Sequence, residues 1–217
     1  MVSLGPGDVG LVTLRALEVL QSVDAISVPT KSEDSSFKKS MTHKVLKRLF
    51  KKYDFEKKLI PVYSPMRFDP DDWEMEADIV LDALVYHDEI AFVTLGDSAI
   101  YSSVYYILDI IKEKDPTIYH DSEVVAGVTS FSQASTKVKE PICLGDSAFE
   151  VVPLLDKKVS KTTIYMRPKI GMDMSFLKEK GKIFSFENLN FDGENIEFKK
   201  LEKVRKYMTL FVDFFRV

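Results

Sequence analysis

An almost unbroken apolar run, Ile90-Ala91-Phe92-Val93-Thr94-Leu95, ends at Gly96-Asp97-Ser98 and leads into a second apolar pattern at helical spacing, Ile100, Val104, Ile107, Leu108 and Ile111. A run with so little polar alternation reads as a strand buried on both faces, the environment of a parallel α/β sheet. Gly96 ends the strand, Asp97 or Ser98 offers an oxygen to the first amides of the helix, and Asp115-Pro116 stops that helix. The chain thereby delivers a glycine, a carboxylate and free backbone groups to the carboxyl end of a central strand. Open α/β sheets bind their ligands at that edge.

The chain's opening repeats this grammar. Val2-Ser3-Leu4 runs into Gly5-Pro6-Gly7-Asp8, a tight turn in which backbone comes close to whatever lies above it. Leu11, Leu14, Leu17, Val19 and Leu20 then mark an amphipathic helix, and residues 23–29 the next strand, so the unit is the start of a parallel sheet. The first strand is short for a buried parallel strand, and a few residues ahead of Met1 would lengthen it. Residues 30–40 are polar and read as a loop. Residues 41–58 read as a helix in which Lys44, Lys47, Arg48, Lys51, Lys52, Lys57 and Lys58 surround Val45, Leu46, Leu49 and Phe50. That face is either simply solvated or a positive field that concentrates a polyanionic substrate. Residues 59–63 predict a short strand near an edge because of Pro61. Asp69-Pro70-Asp71-Asp72 starts a further helix, expected to run to about His87, with acidic residues where the helix dipole favours them.

Beyond Pro116 strands become more frequent. They are predicted at residues 122–126, 149–153, 162–166, 182–186 and 208–215, and Gly127-Val128-Thr129-Ser130 turns into a helix of small residues. This texture predicts a two-domain α/β protein: a mostly parallel sheet with helices over residues 1–116, and a mixed α+β domain over residues 117–217, hinged near residues 115–121.

Several chemistries are excluded by what the 217 residues hold. A formal charge of −4 argues against general nucleic-acid binding. Cys143 is the only cysteine, so no internal disulfide or cysteine-rich zinc site forms. His43, His87 and His120 share no ligand spacing, which predicts no metal site. The absence of a long apolar run and of a leader pattern predicts a cytosolic protein with no membrane span. No nucleophile elbow, Gly-Lys-Ser/Thr phosphate loop or Gly-x-Gly-x-x-Gly fingerprint occurs. What remains is a set of strand-end turns able to line a pocket between two domains. That pocket has no electrophilic machinery of its own, so a cofactor is expected to supply it.

Gly5-Pro6-Gly7-Asp8 followed by Leu11-Val12-Thr13-Leu14-Arg15-Ala16-Leu17, then Val23-Asp24-Ala25-Ile26, Thr94-Leu95-Gly96-Asp97 and Gly127-Val128-Thr129-Ser130-Phe131, in that order, resembles the tetrapyrrole methylases across nearly the whole chain. Val28-Pro29, the spacing from Leu95-Gly96-Asp97 to Tyr101-Ser102, and Ile164-Tyr165-Met166 are most similar to the branch that methylates C-20 of precorrin-2 or cobalt-factor II in cobalamin synthesis. The resemblance implies S-adenosylmethionine as cofactor in a cleft between the two domains, a tetrapyrrole substrate and a homodimer. By position, Pro6 would pack on the cofactor, Leu95, Gly96 and Asp97 would lie beneath its methionine part, and Ile100 would touch it from the helix start. Thr129 and Ser130 would close over it, Met166 would flank the adenine, and Leu189 would add a late backbone contact.

Methylating a ring carbon also requires loss of a proton. Asp97, the only carboxylate in the central turn, is the candidate base, its other role being to cap the helix from Ala99. Three positions depart from the pattern: Ser3 where the family has glycine, Ser98 where it has proline, and Arg167 where the branch has lysine. Two other functions fit the same motifs, a diphthine synthase-like methyltransferase acting on a translation factor and a non-catalytic binder of the cofactor or tetrapyrrole.

Overall fold

The computed structural model describes residues 1–65, 67–139, 141–145, 148–151, 163–166, 168–177, 182–188, 192–207 and 209–214. They fall into two compact units, Met1–Phe149 and Glu150–Val217.

The first unit is built on four parallel strands, β1 (Val2–Ser3), β2 (Ala25–Thr30), β3 (Lys58–Tyr63) and β4 (Ile90–Thr94), in the order β1-β4-β2-β3. The apolar run that predicted a central strand is β4, buried at Ala91, Phe92 and Val93 and flanked by β1 and β2. Pro61 lies in β3, at the sheet's edge, where a missing amide breaks no ladder. Helices α1 (Leu14–Ser22) and α2 (Met41–Tyr53) bury Leu20, Leu46 and Leu49 with Ile26, Val28 and Val93 on one side. On the other side α3 (Pro70–Leu84) and α4 (Val104–Lys114) pack Ala77, Val80, Ile107 and Ile111 against Val62 and Phe92. The caps are those the residue types favour: Thr13 accepts from Ala16 N–H, Ser40 from His43 N–H and Asp69 from Asp71 N–H. Two short helices, α5 (Pro116–Asp121) and α6 (Ser130–Val138), complete this unit.

Several boundaries differ from expectation. The basic helix ends at Tyr53, because Asp54 takes a left-handed conformation, and Lys58 already belongs to β3. The helix expected from Ala99 begins at Val104, since residues 97–100 first close a turn through Ile100 N–H to Asp97 O at 3.1 Å. The strand expected at residues 122–126 shrinks to one parallel bridge, Val2 to Val125. That bridge has a larger consequence. Ser3 N–H donates to Val125 O and Val125 N–H to Met1 O, so residues beyond Pro116 join the edge of the first sheet. The first compact unit runs to Phe149, whereas the sequence placed a junction at residue 116.

The second unit contains an antiparallel sheet of β5 (Thr163–Met166), β6 (Lys182–Glu187), β7 (Asn195–Glu197) and β8 (Thr209–Phe214), ordered β5-β8-β6-β7. Ile183, Ser185 and Glu187 alternate as the buried face of β6, with Met174, Leu177, Leu201, Val204 and Phe211 as its core. Buried Glu187 is held by Arg205, whose guanidinium also reaches Glu197, and that pairing keeps the Glu187 carboxyl below its usual range. Strands are the described elements here; the small-residue helix assigned by sequence to this half, α6, lies in the first unit. Of the strand predicted at residues 149–153, Phe149 to Val151 is not strand and the rest falls outside the described residues.

Candidate active site

Adjacent strands β1 and β4 send their following helices to opposite faces of the sheet, α1 to one and α4 to the other. Their carboxyl ends therefore diverge, and the space between is the switch point at which α/β sheets hold ligands. Two glycines make the divergence possible. Gly5 and Gly96 pair through Gly5 N–H to Gly96 O at 3.0 Å and Gly96 N–H to Gly5 O at 2.7 Å. Both are left-handed, with φ of +68° and +79°. A Cβ on Gly5 would meet Leu11 O at 2.8 Å, whereas a Cβ on Gly96 would meet nothing within 4 Å.

A pocket of about 260 Å³ opens over Gly96, lined by Pro6, Leu95, Gly96, Asp97, Ile100, Tyr101, Thr129, Ser130 and Phe131. Seven residues named from the sequence thus come together: Pro6 after β1, Leu95, Gly96, Asp97 and Ile100 after β4, and Thr129 and Ser130 at the start of α6. The third turn is brought in by close backbone approach. A Cβ on Gly127 would lie 2.5 Å from Gly96 O and 2.6 Å from Ser3 Cβ, so only glycine lets this segment reach the other two. Met166 ends β5 in the second unit, and Leu189 lies outside the described residues, as does Arg167.

Asp97 Oδ1 accepts from Ala99 N–H at 3.1 Å and from Gly127 N–H at 3.3 Å. The carboxylate thus caps its own turn and ties it to the third one. Thr129 caps α6 by accepting from Ser132 N–H. Tyr101 and Phe131, which sequence reasoning quoted in motifs without giving them a site role, line the same pocket. Tyr101 holds φ at +51°, uncommon for a bulky residue and a mark of a position the surrounding fold dictates. No local sequence pattern announces that conformation.

The basic helix contributes one direct contact. Arg48 Nη2 donates to Gly7 O at 2.9 Å and Arg48 Nε to Lys44 O, which ties α2 to the turn after β1. Lys47 and Lys51 line a separate hollow of about 510 Å³ with Phe50, Asp54, Phe55 and Glu56. Among the described residues, no group of three or more His, Cys, Asp or Glu could hold a metal ion, and no helix is long and apolar enough to cross a membrane.

Elsewhere in this unit Glu76, on α3, is 2% exposed. Burial pushes its carboxyl up to about 7; a hydrogen bond with Ser64 pulls it down, and the nearby Asp72 charge raises it further. Glu76 Oε2 has no hydrogen-bond partner among the described residues. Asp72 itself is held as a carboxylate by Arg67, through Nε at 2.9 Å and Nη2 at 2.7 Å.

Fold and site together define an α/β protein with a pocket lined by turn residues at the sheet's switch point. The chain belongs to the tetrapyrrole (corrin/porphyrin) methylases, whose family model matches residues 1–203. It is 28% identical over 211 residues to a Methanocaldococcus jannaschii protein named a probable cobalt-precorrin-2 C(20)-methyltransferase, covering 94% of this chain and 87% of that one. A solved structure named as a cobalamin synthesis related protein, CobF, from Corynebacterium diphtheriae matches with a TM-score of 0.54 at 13% identity, over 97% of this chain and 95% of that one, a likeness of fold.

Proposed function

We propose that this methylase transfers a methyl group from S-adenosylmethionine to a tetrapyrrole of cobalamin synthesis, at C-20 of precorrin-2 or cobalt-factor II. The observation that carries it is the convergence of Pro6, Leu95, Gly96, Asp97, Ile100, Thr129 and Ser130 on one pocket at the switch point. The C(20)-methyltransferase relative supports the choice of acceptor carbon.

The residues present fit the cofactor. The empty space where a Gly96 Cβ would stand is a cradle that any side chain would fill, and Leu95 and Ile100 offer exposed apolar surface beside it. The pocket is slightly smaller than the ~300 Å³ lower end for drug-sized ligands, which suits the methionine part that this turn is proposed to hold. When bound, S-adenosylmethionine supplies an electrophilic methyl group. The chain's contribution is positioning, because holding donor and acceptor carbon in line in a water-poor site accounts for much of the acceleration open to such an enzyme. Pro6 packs against the ligand, the turn after β4 supports it from below, and Thr129 and Ser130 close over it. Asp97, the carboxylate of the pocket lining, is the proton acceptor for the ring carbon. Parts for Met166 and Leu189, and the homodimer, rest on the family resemblance alone.

Incubation with labelled methyl donor and either precorrin-2, cobalt-factor II or a diphthamide-acceptor translation factor tests this. Label in a tetrapyrrole is expected; label in the factor, or donor binding without transfer to any acceptor, overturns it. Gly96→Val is expected to abolish cofactor binding in calorimetry, since a branched side chain would fill the cradle, and to lower the thermal midpoint because φ there is +79°, with Gly96→Ala as the milder variant that fills part of the same space at less strain. Normal affinity in Gly96→Val moves the pocket elsewhere.

A further inference from the structure

Ser3 and Ser98 stand 95 residues apart in sequence and touch: Ser98 N–H donates to Ser3 Oγ at 2.9 Å. The bond is fully enclosed, with Ser3 0% and Ser98 2% exposed. Ser98 is the second residue of the turn closed by Ile100 N–H to Asp97 O, directly after the Gly96 cradle. The turn itself makes no use of that residue's amide, and proline is favoured there for its preset φ and missing donor. Here the donor exists and is buried. Without an acceptor it would be an orphan, one of the costlier defects an interior can carry. Ser3 Oγ is that acceptor.

The same serine sets a second wall. Its Cβ lies directly under Gly127, so close that a Gly127 side chain would overlap it, and Gly127 leads into Thr129 and Ser130. A displacement at Ser3 therefore reaches both the turn beneath the ligand and the segment above it. Each single replacement is defective: glycine at 3 leaves the Ser98 amide without a partner, and proline at 98 sets its ring where Ser3 Oγ lies.

We infer that Ser3 and Ser98 are a matched pair of positioning residues, one hydroxyl and one turn amide, that together hold the Gly96-Asp97 turn in its ligand-bearing conformation. The inference deepens the proposed function and rests on it for the identity of the ligand.

A four-protein cycle tests it: wild type, Ser3→Gly, Ser98→Pro and the double variant, each measured for S-adenosylhomocysteine affinity by calorimetry, for kcat and KM, and for thermal midpoint. Each single substitution is expected to weaken binding about tenfold, chiefly through KM, and the double variant to return to within about threefold of wild type. If Ser98→Pro alone does not fold, folding of the double variant is itself the rescue, and Ser3→Ala, which keeps the Cβ, supplies the second single loss. Singles that bind like wild type, or a double variant carrying the product of both losses, overturn the pairing. If wild type does not bind S-adenosylhomocysteine, the proposed function falls. The thermal midpoints still judge the pair: recovery in the double variant supports it, additivity overturns it.

Discussion

At the pocket, Asp97 bonds two backbone amides from two different segments, and the Ser98 amide beside it has its own acceptor. On α3, Glu76 is buried where Asp97 is only part-buried, yet one of its oxygens has no partner among the described residues and its carboxyl is pushed up to about 7. Both regions hold a carboxylate near the same sheet. At the pocket, backbone donors converge on the side chain because three glycine turns meet there. On α3, the helix satisfies its own backbone, so a buried side chain must find a partner among other side chains. The pocket is thus organised before any ligand arrives, whereas the α3 interior carries an electrostatic cost that varies with pH.

The harshest way to break this contrast is Gly127→Ala. Its Cβ would press on backbone at Gly96 O, which cannot swing aside as a side-chain end can. A loss of about 3 kcal/mol in urea unfolding is expected, with cofactor affinity falling too. Unchanged stability would mean that the three turns are not held together as described.

Glu76→Gln probes the other side. The folded-state value of about 7 lies above the ordinary 4.5, so wild type is free of the penalty below pH 4.5 and loses stability as pH rises through 7. The variant removes this dependence. Relative to wild type it should gain up to roughly 3 kcal/mol at pH 8 and show no pH-linked gain at pH 4, as read in unfolding curves. Parallel curves at both pH values would show that Glu76 titrates normally.

Asp97→Asn sharpens the contrast inside the pocket. An amide oxygen can still accept from Ala99 and Gly127, so fold and cofactor affinity should stay near wild type. kcat should drop by ~100-fold if the carboxylate takes the proton. A kcat within threefold of wild type reduces Asp97 to a cap. The smallest effect is expected on α2, where replacing Lys47, Arg48 and Lys51 with glutamine should weaken tetrapyrrole binding in a salt-dependent way. Restoring Arg48 alone separates its bond to Gly7 O from the field of the two lysines. Unchanged affinity at low salt returns the helix face to simple solvation.

Much of the site was legible because its signals are local. A glycine that must adopt positive φ, a turn rich in serine and aspartate, and an apolar run before it are read from neighbours in sequence, and Gly5, Gly96 and Thr129 sit where those signals place them. Tyr101 carried no such signal, because a left-handed φ is uncommon for an aromatic residue and its sequence neighbours do not call for it. The helix start at Val104 was missed for the same reason: a left-handed Tyr101 cannot sit inside a helix beginning at Ala99, so the helix starts only after it. The junction expected near residue 116 differs from the boundary of the compact units at Phe149, and the Val125 to Val2 bridge shows how the segment after Pro116 is tied to the first sheet.

Residue order alone determined the parallel strands and the glycine turns that end them, since both depend on burial period and backbone freedom within a few positions; the family was read from the resemblance of those motifs in their order along the chain. Only the tertiary structure decided that Ser3 answers the Ser98 amide, that Gly127 must be bare to pass over Gly96, and that one Glu76 oxygen has no partner among the described residues. Those outcomes depend on distances between segments far apart in the chain, and hydrogen bonding and steric exclusion act on distance in space.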